Sequence, residues 1–298
     1  TRPPPTTTVA TTLSPATVAP QIAVAAAAPT VWKLTKKSLN REIEAYTDTT
    51  SVEPGGPVRV FVSTSASSYS VDVWRLGWYD GAGAQWFKSL GPFPGASSRP
   101  IPPVESTGRM RCTWPFSFSV PVGAWPSGIY VVRLTASDGY QCYVSFTVRS
   151  AVPNHPLLFV HAVNTDQAYN DCWRELYNGR SMYLPKSDKA VKVSFDRPCN
   201  PRFGTGAGQV FRWEYPFIRW AEREGFGFDY CTDVDVHRDP GLLRDYRTVL
   251  VVGHNEYWSK QMRDGYDAAV ANGVNLCNFA ANTGYWQVRF EDAERTMV

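Results

Sequence analysis

Two hydrophobic patterns divide the chain. Valine occupies every second position over residues 58–62, and apolar side chains also recur at every second position over residues 140–148. This period of two predicts strands with one buried face. Residues 128–139 end in a Ser-Asp-Gly turn that leads into the second of these strands, which predicts a β-hairpin. Short strands with Gly/Pro-rich turns over residues 40–150 predict an antiparallel β-sandwich.

The second half of the chain has longer apolar runs. Residues 157–163 and 249–252 are continuously apolar apart from one histidine, as strands buried on both faces need to be. Helical spacing over residues 211–225 and 259–273 predicts two amphipathic helices, each ending in glycine, and the second starts at a serine cap. A further strand is predicted at 274–279. Alternating strands and helices predict an open, mostly parallel α/β sheet, whose sites lie beyond the carboxyl ends of strands.

These patterns predict three parts: a disordered tail over residues 1–30, a β-sandwich domain over 31–150 and an α/β domain over 151–298. The tail consists almost wholly of Thr, Ala, Pro and Val and carries no charge after Arg2, so it lacks core-building periodicity. It also lacks the basic and apolar regions of a signal peptide, which predicts a mature form that has already been cleaved. Together with the cysteine count, the tail predicts a secreted or cell-surface protein.

Composition narrows the classes of partner. The 298 residues include 30 basic and 27 acidic ones, a net charge of +3, which is too balanced for a typical nucleic-acid or membrane-surface protein. We expect neither partner, and no apolar run is long enough for a transmembrane helix.

Six cysteines lie far apart without a C-x-x-C pair, which disfavours a zinc ribbon or a thioredoxin-type redox site. Their even number allows up to three disulfides, and buried free thiols are the alternative. Pairing within each predicted domain gives Cys112–Cys142, Cys172–Cys199 and Cys231–Cys277.

Polar chemistry is concentrated where one apolar run ends. The segment VLVVGHNEYWS, residues 249–259, places His254 and Glu256 directly after a predicted strand. Glu256 precedes the helix that Ser259 is predicted to cap, so the helix dipole favours its ionised form. His254, two residues earlier, would project to the same side, and Asn282 follows the neighbouring predicted strand. An H-x-E pair alone is a weak signal of a site.

Several separated blocks, in order, resemble the N,N-dimethylformamidase large-subunit family. The resemblance covers about residues 40 to 298 and implies a β-sandwich joined to a glutamine-amidotransferase-like, open α/β domain. Relatives continue beyond the GYWQVRFE block, so the resemblance also implies a C-terminally truncated domain. The blocks are YSVDVWRLGWYDGAGAQ, WPSGIYVVRL, VSFDRP, YCTDVDVH, VVGHNEYWSKQMRD and FAANTGYWQVRFE.

The resemblance also implies a mononuclear iron held by two tyrosines and one glutamate. Carried over to this sequence, the ligands are Tyr169, Glu256 and a second tyrosine. Tyr183 best matches the family block, and Tyr177 is the alternative because residues 171–180 depart from the shorter segment of relatives. Phenolate and carboxylate oxygens suit a ferric ion better than zinc.

The implied function is metal-dependent hydrolysis of a small amide, in which metal-bound water attacks the carbonyl. His254 and Asn282 would be the catalytic side chains that orient water and stabilise the developing oxyanion. The implied partners are a small amide substrate and a second copy or a small partner subunit. A non-catalytic exported binding or structural protein on the same scaffold is the alternative function.

Other polar residues have plainer interpretations. Asp233, Asp235 and His237 could form a second metal site, but capping and backbone bonding is the favoured interpretation. His161 lies inside an apolar run and is interpreted as a core histidine. Cys277 lies within a predicted strand and is interpreted as structural, which disfavours a thiol amidotransferase.

Overall fold

The computed structural model describes residues 31–95, 99–202 and 204–298. The predicted tail at residues 1–30 lies outside the described residues. The described chain is a mixed α/β structure with several sheets and few helices, as the sequence predicts at this level. Within these ranges no helix is both long and apolar enough to cross a membrane.

Two sheets built from the first half of the chain share one core. A three-stranded antiparallel sheet has the order β1-β3-β6, and a five-stranded sheet has the order β2-β8-β7-β4-β5. The alternating residues predicted to face inward, such as Val58, Val60 and Val144, are buried in this core. The strands are β1 (Ile43–Thr47), β2 (Ser51–Val52), β3 (Pro57–Thr64), β4 (Ser68–Leu76), β5 (Ala84–Pro94), β6 (Phe118–Pro121), β7 (Gly128–Ala136) and β8 (Gln141–Val148).

A four-stranded parallel sheet organises the second half, in the order β11-β9-β12-β14. The second half also contains two smaller sheets, with the strand orders β13-β15 and β10-β17-β16. Within the described ranges, short 3-10 helices occur at residues 79–81, 204–206 and 240–245. The elements are β9 (Leu157–His161), α1 (Val163–Tyr169), α2 (Arg174–Tyr177), β10 (Val193–Ser194), α3 (Glu214–Arg223), β11 (Asp229–Thr232), α4 (Asp233–Arg238), β12 (Thr248–His254), β13 (Tyr257–Ser259), α5 (Lys260–Ala271), β14 (Asn275–Ala281), β15 (Trp286–Val288), β16 (Phe290–Glu291) and β17 (Thr296–Met297).

The local signals for α5 are confirmed. The Ser259 hydroxyl accepts a hydrogen bond from the Met262 backbone N–H at 3.2 Å, which satisfies one of the free donors at the start of the helix. The helix ends at Ala271, and Gly273 follows in the left-handed region with φ +89°. The predicted strand after it is β14, at the edge of the parallel sheet.

The five-stranded sheet is buried on its second face as well. Trp74 of β4 and Val131 of β7 pack in one apolar cluster with Phe159 and Leu250 of the parallel sheet. This explains why β7 is buried at nearly every position, although a strand with one wet face would alternate. The two halves of the chain therefore share a core. The residue boundaries predicted for separate domains remain a prediction.

The predicted disulfides are wrong, because all six cysteines are free thiols. Cys142 packs in the core between the two antiparallel sheets, whereas Cys112 packs in a different cluster with Cys172. Cys231 and Cys277 pack on opposite faces of the parallel sheet, since the first joins the cluster of Val249 and Val251 and the second joins the cluster of Leu250 and Val252. Cys172 and Cys199 are likewise unpaired with each other. Burial raises the pKa of the Cys199 thiol to about 12.

Candidate functional site

The five predicted site residues meet at the carboxyl ends of the parallel strands. Tyr169 is the last residue of α1, which follows β9. His254 ends β12 and Glu256 lies in the turn after it, while Asn282 directly follows β14 with a left-handed φ of +53°. Tyr183 reaches this place from the segment between α2 and β10.

Tyr169 and His254 both contact the same carboxylate oxygen of Glu256. The Tyr169 hydroxyl donates to Glu256 Oε2 at 2.8 Å, and His254 Nε2 lies 3.0 Å from the same oxygen. Asn282 Nδ2 lies 3.3 Å from His254 Nε2. One ring nitrogen cannot both donate to the carboxylate and accept from the amide, and the negative charge of Glu256 favours donation to it.

The two tyrosine rings are stacked. The centroids of Tyr169 and Tyr183 are 4.2 Å apart with planes 22° from parallel, and the His254 ring meets Tyr169 edge-on at 5.0 Å. The alternative ligand Tyr177 lies elsewhere: it lines a surface groove of residues 100–104 and packs under the guanidinium of Arg41. The structure thus brings Tyr183 to the site and leaves Tyr177 outside it.

Backbone contacts explain why these side chains lie together. The Met182 N–H donates to the Ala168 carbonyl at 2.8 Å, which ties the segment of Tyr183 to α1. The Glu256 N–H donates to the Thr165 hydroxyl of α1 at 2.8 Å. On the other side, the Glu256 carbonyl accepts from the Trp286 N–H at 2.9 Å. Glu256 is therefore held from both sides of the turn.

Burial divides the site into a closed floor and an open rim. Glu256 is only 4% exposed, whereas Tyr183 is 62% exposed. Burial raises the pKa of Tyr169, and its hydrogen bond to the Glu256 carboxylate raises it further. In the free protein Tyr169 is therefore a neutral phenol that donates to a carboxylate. A small molecule can approach from the side of Tyr183.

Two contributors to the site were missed by the sequence analysis. The Tyr257 ring meets Tyr169 edge-on at 6.3 Å, and the side chain of Trp213 lies against Gly253, just before His254. Alternation along a strand predicts that Tyr257 points away from its neighbour Glu256, so the sequence gives no sign of this contact. Trp213 comes from the start of α3, and its contact depends on tertiary packing that spacing does not show. The φ of +80° at Gly253 is the local sign of a tight turn.

The plainer interpretations of the other polar residues agree with the structure. Asp235 accepts from the Thr232 N–H in a capping box, and His237 Nδ1 lies 2.8 Å from the Ser259 hydroxyl. Among the residues described, no cluster of three or more His, Cys, Asp or Glu side chains could hold a metal. The predicted iron site would not form such a cluster, because two of its three ligands are tyrosines.

His161 is a buried histidine of the core. Its Nδ1 lies 2.6 Å from Glu214 Oε2. Burial alone would lower the pKa of His161, but the Glu214 carboxylate outweighs it and raises the pKa to about 9. Cys277 lies in the middle of β14, as expected of a structural cysteine.

Comparison with known proteins gives the family. Residues 70–298 match the family model described as N,N-dimethylformamidase beta subunit-like, C-terminal. The chain belongs to this family. An N,N-dimethylformamidase beta subunit from Alcaligenes sp is 35% identical in an alignment of 219 positions that covers 59% of this chain and 28% of the relative. One from Paracoccus aminophilus is 33% identical in an alignment of 122 positions that covers 38% of this chain and 16% of the relative.

The chain therefore spans less than a third of the length of these formamidase relatives. Among solved structures, a cycloisomaltooligosaccharide glucanotransferase from Paenibacillus sp. covers 42% of this chain and 17% of its own, with 14% identity and a TM-score of 0.24. A likeness this weak carries no argument about fold or function.

Proposed function

We propose that this member of the dimethylformamidase beta subunit-like family is a metal-dependent hydrolase of small amides. The observation that carries the proposal is the 2.8 Å contact between the Tyr169 hydroxyl and Glu256 Oε2, which joins residues 87 positions apart in the chain. His254 and Tyr183 contact the same pair. The related proteins are named for N,N-dimethylformamidase, so a small formamide is the substrate class to test.

The side chains suit a cation that prefers oxygen. Tyr169, Tyr183 and Glu256 would hold it, and two phenols with one carboxylate favour ferric iron over zinc. The pKa of Tyr169 is raised, so this residue must give up the proton that it shares with Glu256 before it can serve as a ligand. When bound, the ion would supply a Lewis acid that polarises the amide carbonyl and lowers the pKa of water.

His254 and Asn282 would manage the proton and the developing charge. The His254 side chain is 12% exposed, so its ring lies at the border between the buried floor and the open rim. With Nε2–H donating to Glu256, Nδ1 of the imidazole would be the atom that takes a proton from the attacking water and returns it to the amine that leaves. The Asn282 amide can donate to the carbonyl oxygen as that oxygen gains negative charge.

The proposal includes three further expectations about the whole protein. The parallel sheet would be of the glutamine-amidotransferase-like class. Its alternating strands and helices and the position of the site beyond the strand ends support this expectation. A second copy or a small partner subunit would complete the enzyme, since the relatives are named as beta subunits. A secreted or cell-surface location rests on the composition of the tail alone, because the cysteines form no disulfides.

The decisive variant is Glu256→Gln, which keeps the size of the side chain and removes its charge. We expect it to abolish iron binding, followed by the visible absorption of ferric phenolate, and to abolish release of amine from dimethylformamide. The control is Glu291→Gln, which removes a surface carboxylate paired with Lys192 and should leave both readouts unchanged. Unmodified protein that stays colourless and iron-free after reconstitution would refute the proposal.

A further inference from the structure

Two of the three proposed ligands lie on separate segments that are packed together. Helix α1 supplies Tyr169, and the turn at residues 254–258 supplies Glu256. A site of this kind works only if its groups are held within about half an ångström of the productive geometry. The residues that fix these two segments to each other are therefore part of the machinery, although they do not touch a substrate.

One buried carboxylate is bonded to both segments. Asp233, the first residue of α4, is fully buried. Its Oδ2 accepts from the Asn164 backbone N–H of α1 at 3.1 Å, and its Oδ1 accepts from the side-chain amide of Asn255 at 3.0 Å. Each oxygen of this side chain therefore accepts one hydrogen bond, the first from α1 and the second from the turn.

The orientation of the Asn255 amide is fixed by a third group. Its Oδ1 accepts from the Trp258 indole N–H at 2.7 Å, so its NH2 group must face Asp233. Asn255 is fully buried, and its own carbonyl accepts from the Gly284 N–H at 3.0 Å. Three hydrogen bonds therefore link Trp258, Asn255, Asp233 and Asn164 in a chain from the turn to α1.

We propose that Asp233 is a positioning residue for the hydrolase site, with Asn255 as its partner. One oxygen of its carboxylate anchors the helix of Tyr169, and the other anchors the turn of Glu256. The inference rests on the proposed function, because the two anchored segments carry two of the three proposed ligands. The geometry of the anchor itself is independent of any bound ion.

Exchanging the two polar groups tests this arrangement. In Asp233→Asn one of the two acceptor oxygens becomes a donor, so one contact to Asn164 or Asn255 is lost. In the double variant D233N/N255D the new amide can donate to the new carboxylate, which still accepts from Trp258, while the new amide oxygen accepts from the Asn164 N–H. All the bonds of the chain are then restored with the same net charge.

Hydrogen–deuterium exchange of the metal-free full chain gives the first readout. We expect Asp233→Asn to speed amide exchange in residues 163–169 and 254–258 by roughly tenfold or more, the effect of leaving a buried polar group without its hydrogen bond. The double variant should return both segments to within about threefold of the unmodified protein. Unchanged exchange in Asp233→Asn, or no recovery in the double variant, overturns the inference.

Asp229→Asn is the matched control. Asp229 is also fully buried and bonded, but to Ser150 and to the N–H groups of Asn154 and His155 at the opposite end of β11. It should destabilise the protein without selectively speeding exchange in the two site segments. If it affects them as strongly as Asp233→Asn does, Asp233 has only a general structural role and the inference fails.

Two further measurements keep the outcomes distinct. If Asp233→Asn does not fold, Asn255→Ala should speed exchange in residues 254–258 and leave 163–169 unchanged. An equal increase of exchange in both segments would overturn the inference.

Titration with ferric nitrilotriacetate, followed by phenolate absorption, should show about tenfold weaker iron binding in Asp233→Asn and recovery in the double variant. Absence of iron binding by the unmodified chain would refute the proposed function, and the exchange data would still decide the role of Asp233.

Discussion

Replacing Gly253 with alanine tests the packing that places His254. Gly253 has φ +80°, a conformation that costs a residue with a side chain about 1 to 3 kcal/mol. A Cβ at this position would lie 2.4 Å from the Cβ of Trp213, which forces the strand end or the start of α3 to move. Overpacking of this kind costs a further 1 to 3 kcal/mol, roughly. We expect Gly253→Ala to lower the free energy of unfolding by about 2 to 6 kcal/mol in total.

The matched control separates strain from overlap. Gly273 has a similar φ of +89°, and an added Cβ would meet nothing within 4 Å. Gly273→Ala should therefore show the conformational cost alone in denaturant unfolding followed by tryptophan fluorescence. Gly253→Ala should also weaken iron binding, because His254 follows directly. Equal destabilisation by the two variants would refute the close packing of Trp213 on the end of β12.

Three other predictions follow from the site and the core. Glu214 raises the pKa of His161 to about 9, so this ion pair contributes its full stability below pH 6.5. The free energy of unfolding should then fall by about 3 kcal/mol as pH rises through 9. His161→Gln should lose that fall, and a fall of the same size in this variant would contradict the assignment. Tyr183→Phe should weaken iron binding whereas Tyr177→Phe should not, and the opposite order in a phenolate titration would exchange their roles. Unreduced, denatured protein should show six titratable thiols, and any lower count would indicate a disulfide.

Periodicity was sufficient to predict the elements that the local sequence determines. The alternating valines of β3 lie in the core, and Ser259 begins α5 as its capping pattern predicts. The burial of both faces of the five-stranded sheet was not predictable in the same way. It depends on where the parallel sheet packs, and a strand such as β7 carries no sign of what covers its second face.

The grouping of the site residues followed partly from strand order. Side chains after neighbouring parallel strands meet at one edge, which is why His254, Glu256 and Asn282 could be expected together. Tyr169 and Tyr183 were placed only through the family resemblance. The anchor at Asp233 could not be predicted from spacing, because its partners at Asn164 and Asn255 lie on two other elements.

The apolar cluster shared by Trp74, Val131, Phe159 and Leu250 has a practical consequence for dissecting this protein. A fragment ending near residue 150 would turn an inner surface into an outer one, so it should be sticky and poorly expressed. Both halves should unfold in a single thermal transition. Proteolytic cleavage within one half should also unfold the other half and make it sensitive to the protease.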